Sequence, residues 1–96
     1  MHILDIIILA QRISDDGRSV IGKVQFAIET AVKGNGHSTQ LLCVDCQTAI
    51  SARIRPDALL IGDAIRQLRR MPEVRSGAER LSFAKGLNPL QTARAA

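Results

Sequence analysis

Cys43 and Cys46 stand three apart in Cys43-Val44-Asp45-Cys46, and with His37 and His2 they make up a Cys2His2 donor set. Zinc favours four nitrogen or sulfur ligands in a tetrahedron, so this is the first chemistry to weigh. The spacing supports it only in part. There is no second Cys-x-x-Cys, and the segment suits a helix whose face buries both thiols as small apolar groups. A thiol-redox reading needs a thiolate at a helix N-terminus after a strand, which only a strand at 40–44 would supply. Nucleophilic catalysis fares worse, because His2 and His37 are the only imidazoles and no Gly-x-Ser-x-Gly elbow occurs. Lys33-Gly34-Asn35-Gly36 lacks the Gly-Lys-Ser/Thr of a phosphate loop, so its glycines read as a helix stop. The expectation is a chain that is not an enzyme, with no catalytic residue, no metal, no cofactor and no small-molecule substrate.

The second cluster is cationic. Arg66, Arg69, Arg70, Arg75 and Arg80 fall within fifteen residues, and all five are arginine. Guanidinium groups fork onto phosphate or carboxylate oxygens, so the cluster points to contact with nucleic acid or an acidic partner. A solvated helix face with Glu73 and Glu79 as local partners is the plainer alternative. The net charge of +4 is unevenly shared: residues 1–48 carry four Lys/Arg against five Asp/Glu, whereas residues 49–96 carry nine against four. Phe26 and Phe83 are the only aromatic residues. Single-strand base stacking and quaternary-ammonium cages both need several rings, and both are excluded.

The elements that must position these residues come from 96 residues, 46% of them hydrophobic, which suffice for one core. A single helical domain over 1–87 with a flexible tail over 88–96 is expected. Val20, Ile21, Val24, Ala27, Ile28, Ala31 and Val32 recur at three-to-four-residue spacing and read as an amphipathic helix. Ser14-Asp15-Asp16-Gly17 would cap it and Gly34-Asn35-Gly36 would stop it. Ile3, Ile6, Ile7, Ala10 and Ile13 fit a helix before it, and Leu42, Cys43, Cys46, Ala49, Ile50 and Ile54 a helix after it. Arg55-Pro56-Asp57 starts a further helix with the stripe Leu60 or Ile61, Ala64, Ile65, Leu68 and Met71, ended by Pro72. Ser76 would cap a last short helix through Leu81, Ala84 and Lys85. The expected fold is all-α, four to five short helices around one core in a helix-hairpin arrangement; the alternative is α+β with short strands near 3–9 and 40–44. Two cysteines make no disulfide framework, the first residues lack the basic start of a secretory signal, and the apolar run Ile3–Ala10 is broken by Asp5 and too short to span a membrane. The chain reads as cytoplasmic, without membrane contact.

Two segments carry a family resemblance. Ile3-Leu4-Asp5-Ile6-Ile7-Ile8-Leu9-Ala10-Gln11-Arg12, followed by Asp15-Asp16, resembles the first helix of FlhD-type regulators, with their Leu-Ala-Gln-Arg ending and acidic turn. Ser38-Thr39-Gln40-Leu41-Leu42-Cys43 is similar to the family's Thr-Asn-Gln-Leu-(Val/Leu)-Cys segment, and Gln47-Thr48-Ala49-Ile50 to the residues next in the family's chain. Together they cover about a quarter of the chain; the family's Met-Phe-Arg-Leu-Gly-like motif is missing, and Val44-Asp45 replace its aromatic residues. The resemblance implies an all-helical homodimer that joins an FlhC-like partner protein to activate transcription, with an interchain disulfide falling on Cys43.

The residues and the resemblance together lead to a transcriptional regulator subunit that dimerises, associates with a partner protein and binds DNA through the assembly, with Arg66, Arg69, Arg70, Arg75 and Arg80 on phosphates or acidic partner groups. The competing expectation is a small phage- or plasmid-type adaptor or inhibitor that docks on a host protein.

Overall fold

The computed structural model describes residues 1–31, 36–77, 80–86 and 94–95. It overturns the all-α expectation. Three long strands, β1 (His2–Ile13), β2 (Ser19–Ala31) and β3 (His37–Ala49), form an antiparallel meander. The chain then crosses over through α1 (Pro56–Arg69) and the single turn α2 (Pro72–Arg75). It returns to the far side of β1 as the two-residue strand β4 (Ser82–Phe83), parallel to β1. Sheet order is β3-β2-β1-β4, and β5 (Arg94–Ala95) also pairs with β1 in parallel. The α+β alternative is nearer, although its strands at 3–9 and 40–44 are much shorter than those formed and it contains no β2.

The three segments read as helices are strands for identifiable reasons. In β2 the buried residues are Val20, Val24, Phe26 and Ile28, with Gly22 in the same row. A four-residue step is close to a helical turn and is also twice the strand period, so Val20, Val24 and Ile28 satisfy both patterns. Phe26 and Gly22 separate them. Phe26 fits only a two-residue repeat, and a mid-element glycine weakens a helix. In β1 the register slips from Ile3↔Ile28 to Asp5↔Ala27 and from Ile8↔Val24 to Ala10↔Lys23, so Leu4 and Leu9 are bulge residues. The first bulge turns an inward step of two into the step of three from Ile3 to Ile6, a spacing that imitates a helix face. In β3 the pairs Leu42↔Phe26, Val44↔Val24 and Cys46↔Gly22 define the inward row, which the helical reading of Leu42, Cys43 and Cys46 mixed with outward positions.

The remaining local expectations divide. Ser14-Asp15-Asp16-Gly17 is not a helix cap but the β1–β2 hairpin turn: Ser14 Oγ donates to Asp16 Oδ1 at 2.5 Å, the Arg18 amide donates to the same oxygen at 3.0 Å, and Gly17 takes φ 72°. Of the Gly34-Asn35-Gly36 stop, Gly34 and Asn35 lie outside the described residues. The helix at Arg55-Pro56-Asp57 does form, with Pro56 in its first turn and Leu60, Ile61, Ala64 and Leu68 fully buried. The last helix expected through Leu81, Ala84 and Lys85 does not; Ser76 instead closes α2, and Ser82–Phe83 is β4. Residues 88–93 and 96 of the region read as a tail lie outside the described residues, and the backbone of Arg94–Ala95 pairs with Ile7–Ile8. The segments that resemble FlhD-type regulators lie in β1 and β3, so the helical fold which that resemblance implies is not the fold of this chain.

One layer of helix covers one face of the sheet. Leu60, Ile61, Ala64 and Leu68 pack on Ile3, Ile6, Ile8, Val20, Val24, Phe26, Ile28 and Cys46, with α1 lying against β2 and β3. Full burial of each large side chain here contributes about 1.5–3 kcal/mol. Among the described residues nothing covers the opposite face, whose rows include Lys23, Gln25 and Ala27 in β2 and Leu41, Cys43 and Asp45 in β3.

Candidate functional site

The five arginines begin on the one long helix. At about 100° per residue, Arg66, Arg69 and Arg70 fall within an arc of about 100° centred opposite Ala64, the middle of the buried stripe. All three are exposed. Arg66 pairs with Asp63 one turn back at 3.3 Å with its side chain 57% exposed, a contact that holds the guanidinium against the helix without removing it from water. Neither Arg69 nor Arg70 has a carboxylate partner among the described residues. Both sit at the helix C-terminus, where positive side chains also complement the backbone carbonyls of the last turn. Arg75 ends α2 and is exposed, continuing the basic surface beyond α1. Arg80 lies apart, on the segment leading into β4, where its carbonyl accepts a hydrogen bond from the Met1 amine at 2.7 Å. The structure thus brings together Arg66, Arg69 and Arg70, places Arg75 on the adjoining turn, and leaves Arg80 on a separate segment.

Beside the arginine arc, a groove of about 320 Å³ runs between α1 and the end of β3, lined by Thr48, Ile54, Ala58, Leu59, Gly62 and Arg66. Among the described residues Arg66 is its only charged wall.

The two cysteines do not form a site. Residues three apart on a strand point to opposite faces, and Cys46 is buried in the inward row while Cys43 is exposed on the open face. The helix face expected to bury both thiols is therefore absent, and the pair is unable to chelate one metal ion. Burial, with Asp63 adding to it, pushes the Cys46 thiol up to about 12. Its Sγ lies 3.6 Å from the Val44 carbonyl oxygen. Cys43 Sγ is 3.6 Å from Gln25 Oε1 across the open face. His2 Nδ1 is 2.8 Å from Ser82 Oγ, at the β1–β4 pairing and away from both thiols. Among the described residues no three His, Cys, Asp or Glu side chains converge on a metal-sized space.

Gln67 is a residue that side-chain patterning passed over. Its amide donates to the Asp45 carbonyl oxygen at 2.8 Å and to Asp63 Oδ2 at 3.1 Å, tying α1 to the outer edge of β3. A polar residue beside the apolar stripe of a helix was the available signal, but its target is a backbone atom.

No protein-family model, curated protein or solved structure matches the chain. No helix among the described residues is long and apolar enough to cross a membrane.

Proposed function

We propose that this chain is a non-enzymatic, DNA-associated regulator subunit that contacts phosphates through Arg66, Arg69 and Arg70. The observation that carries the reading is their common arc on the solvent side of α1, with two of the three free of carboxylate partners among the described residues. Guanidinium groups displayed together on a rigid helix neutralise successive phosphates and release counterions, a contact that depends on salt and not on base sequence. The excess of positive charge in residues 49–96 steers the same face toward a polyanion. Arg75 extends the contact, and Arg80 belongs to a second segment.

The test is the salt dependence of binding to a double-stranded DNA probe, read by fluorescence anisotropy on the full chain. Each phosphate contact adds about 0.9 to the slope of log K against log[salt], so R66A/R69A/R70A flattens the slope by about 2.7. All three side chains are exposed, so circular dichroism of the variant stays that of the parent. An unchanged slope, or no binding by the parent chain at low salt, refutes the reading.

A further inference from the structure

We infer that a second copy of this chain pairs with the first along β3, antiparallel, with Leu41 opposite Leu41 of the partner on a two-fold axis perpendicular to the sheet.

At one edge of the sheet β1 is covered by β4 and β5, whereas β3, thirteen residues long, pairs only with β2 among the described residues. Its pairing with β2 contains no bulge, and Ser38-Thr39-Gln40-Leu41-Leu42-Cys43-Val44 contains no charge, proline or glycine. These are the devices that normally keep an edge strand from pairing with another chain.

The direction of the free backbone groups follows from one bond. The Ile50 amide donates to the Arg18 carbonyl at 2.9 Å, one step beyond the pair Ser19↔Ala49. Alternation along an antiparallel ladder then turns even-numbered residues of β3 toward β2 and leaves odd-numbered ones pointing outward. The Asp45 carbonyl obeys this parity, since Gln67 reaches it from α1. Gln67 therefore occupies the edge at Asp45, and before it the amides and carbonyls of His37, Thr39, Leu41 and Cys43 remain open. A self-pair centred on Leu41 matches Thr39 with the partner's Cys43, and Asp45 falls opposite the partner's His37 only at the end of the paired stretch. A centre on Leu42 matches Thr39 with the partner's Asp45, whose carbonyl is already taken.

Side chains on both faces agree with this register. On the open face Leu41 is 65% exposed, the most exposed of the large hydrophobics among the described residues, and it lies across from Ala27. Pairing buries the two Leu41 side chains against each other and makes an apolar row across both sheets. At the same edge a groove of about 320 Å³ opens, lined by Met1, Ile28, Thr30, Gln40, Leu41, Leu42 and Met71. In this register Leu42 of the partner lies beside Gln40 at that groove. The two-fold axis also puts both α1 helices on one side of a continuous sheet, so their arginine arcs face the same way.

Sedimentation equilibrium without DNA separates this inference from the phosphate-contact reading. The parent chain sediments at twice the 10.4 kDa chain mass at tens of micromolar. Leu41→Lys sets two like charges directly opposite each other and sediments as a monomer with unchanged circular dichroism, because Leu41 contributes nothing to the core. In the L41C/C43S variant, with oxidised glutathione, a disulfide-linked dimer forms, since directly opposed residues lie within reach of a disulfide. The parent does not cross-link through Cys43: the two Cys43 positions are four residues apart along the strands, roughly 14 Å, beyond disulfide reach. A monomeric parent, a dimeric Leu41→Lys variant, or a Cys43–Cys43 cross-link overturns the proposal.

Discussion

Gly22 offers a sharp test of how helix, sheet and bulge fit together. It lies in the inward row of β2, between Gln11 of β1 and Cys46 of β3. A Cβ added there would sit 2.6 Å from Leu60 Cδ1 and well inside contact distance of the Ala10 carbonyl oxygen. The leucine methyl can rotate aside, but the carbonyl belongs to the bulged segment of β1 and moves only with its backbone. Overpacking a close-packed interior costs about 1–3 kcal/mol, and a backbone obstacle places Gly22→Ala toward the top of that range. Alanine recovers about 0.4–1 kcal/mol by restricting the unfolded chain. The net loss is about 2 kcal/mol, equivalent to a fall in Tm of roughly 8–16 °C for a domain of this size.

Gly62 supplies the internal control. It lies within α1, and a Cβ there meets only Arg66 Nη1 at 3.9 Å. Gly62→Ala gains about 0.8–1 kcal/mol from helix propensity. The two glycine-to-alanine changes therefore act in opposite directions, separated by about 3 kcal/mol. Urea unfolding at fixed m value measures both. If Gly22→Ala matches the parent in stability, the close approach of Leu60 and the Ala10 carbonyl to β2 is refuted. If both variants are destabilised alike, the helix assigned to Pro56–Arg69 fails instead.

Asp16 and the cysteines give two more predictions. Hydrogen bonds from the Ser14 hydroxyl and then the Arg18 amide hold the Asp16 carboxyl below its ordinary value of 3.8. A carboxyl whose pKa is depressed on folding contributes stability fully above its unfolded pKa and loses it as pH falls through the folded one. The stability difference between the parent and Asp16→Ala is therefore constant above about pH 5 and shrinks as pH falls below about 3.8, as urea midpoints across pH 2.5–7 will show. Thiol titration with Ellman's reagent at pH 8 gives one fast-reacting group per native chain, Cys43, because the buried Cys46 has a thiol pushed to about 12. The second appears only in denaturant, and two fast thiols in the native state would contradict the placement of Cys46 in the inward row.

The helix α1 was readable because its stripe contains adjacent residues. Leu60 and Ile61 are both fully buried, which a strand with one covered face does not allow, and Pro56 and Pro72 bracket the element. The strands were hidden by arithmetic. Val20, Val24 and Ile28 fit either period, and Leu4 as a bulge residue changed the β1 rhythm from two to three. Composition favoured the strands even so: Val20, Ile21, Val24, Phe26, Ile28 and Thr30 are β-branched or aromatic, and the β1 run Ile6-Ile7-Ile8 is β-branched throughout. In both segments side-chain shape, and not the apparent helical repeat, decides the backbone. The arginine cluster was legible as a count, but its division between α1, α2 and the segment before β4 depended on where the helix ends.

What no residue pattern reported is the edge. Which strand is left outermost depends on the order of pairing, and an open edge presents backbone amides and carbonyls that are the same for every residue except proline. Side chains enter only as guards. In β3 the guard is Gln67, twenty-two residues away on another element, and it protects Asp45 alone. That single hydrogen bond limits the open segment and favours the register that leaves Asp45 at the end of the paired stretch. Removing it makes a second register available: Gln67→Ala frees the Asp45 carbonyl, so a pairing centred on Leu42 competes with one centred on Leu41. In the L41C/C43S background this variant cross-links less completely than its parent while remaining dimeric by sedimentation. Equal cross-linking would mean that side-chain packing at Leu41, and not the Gln67 bond, sets the register.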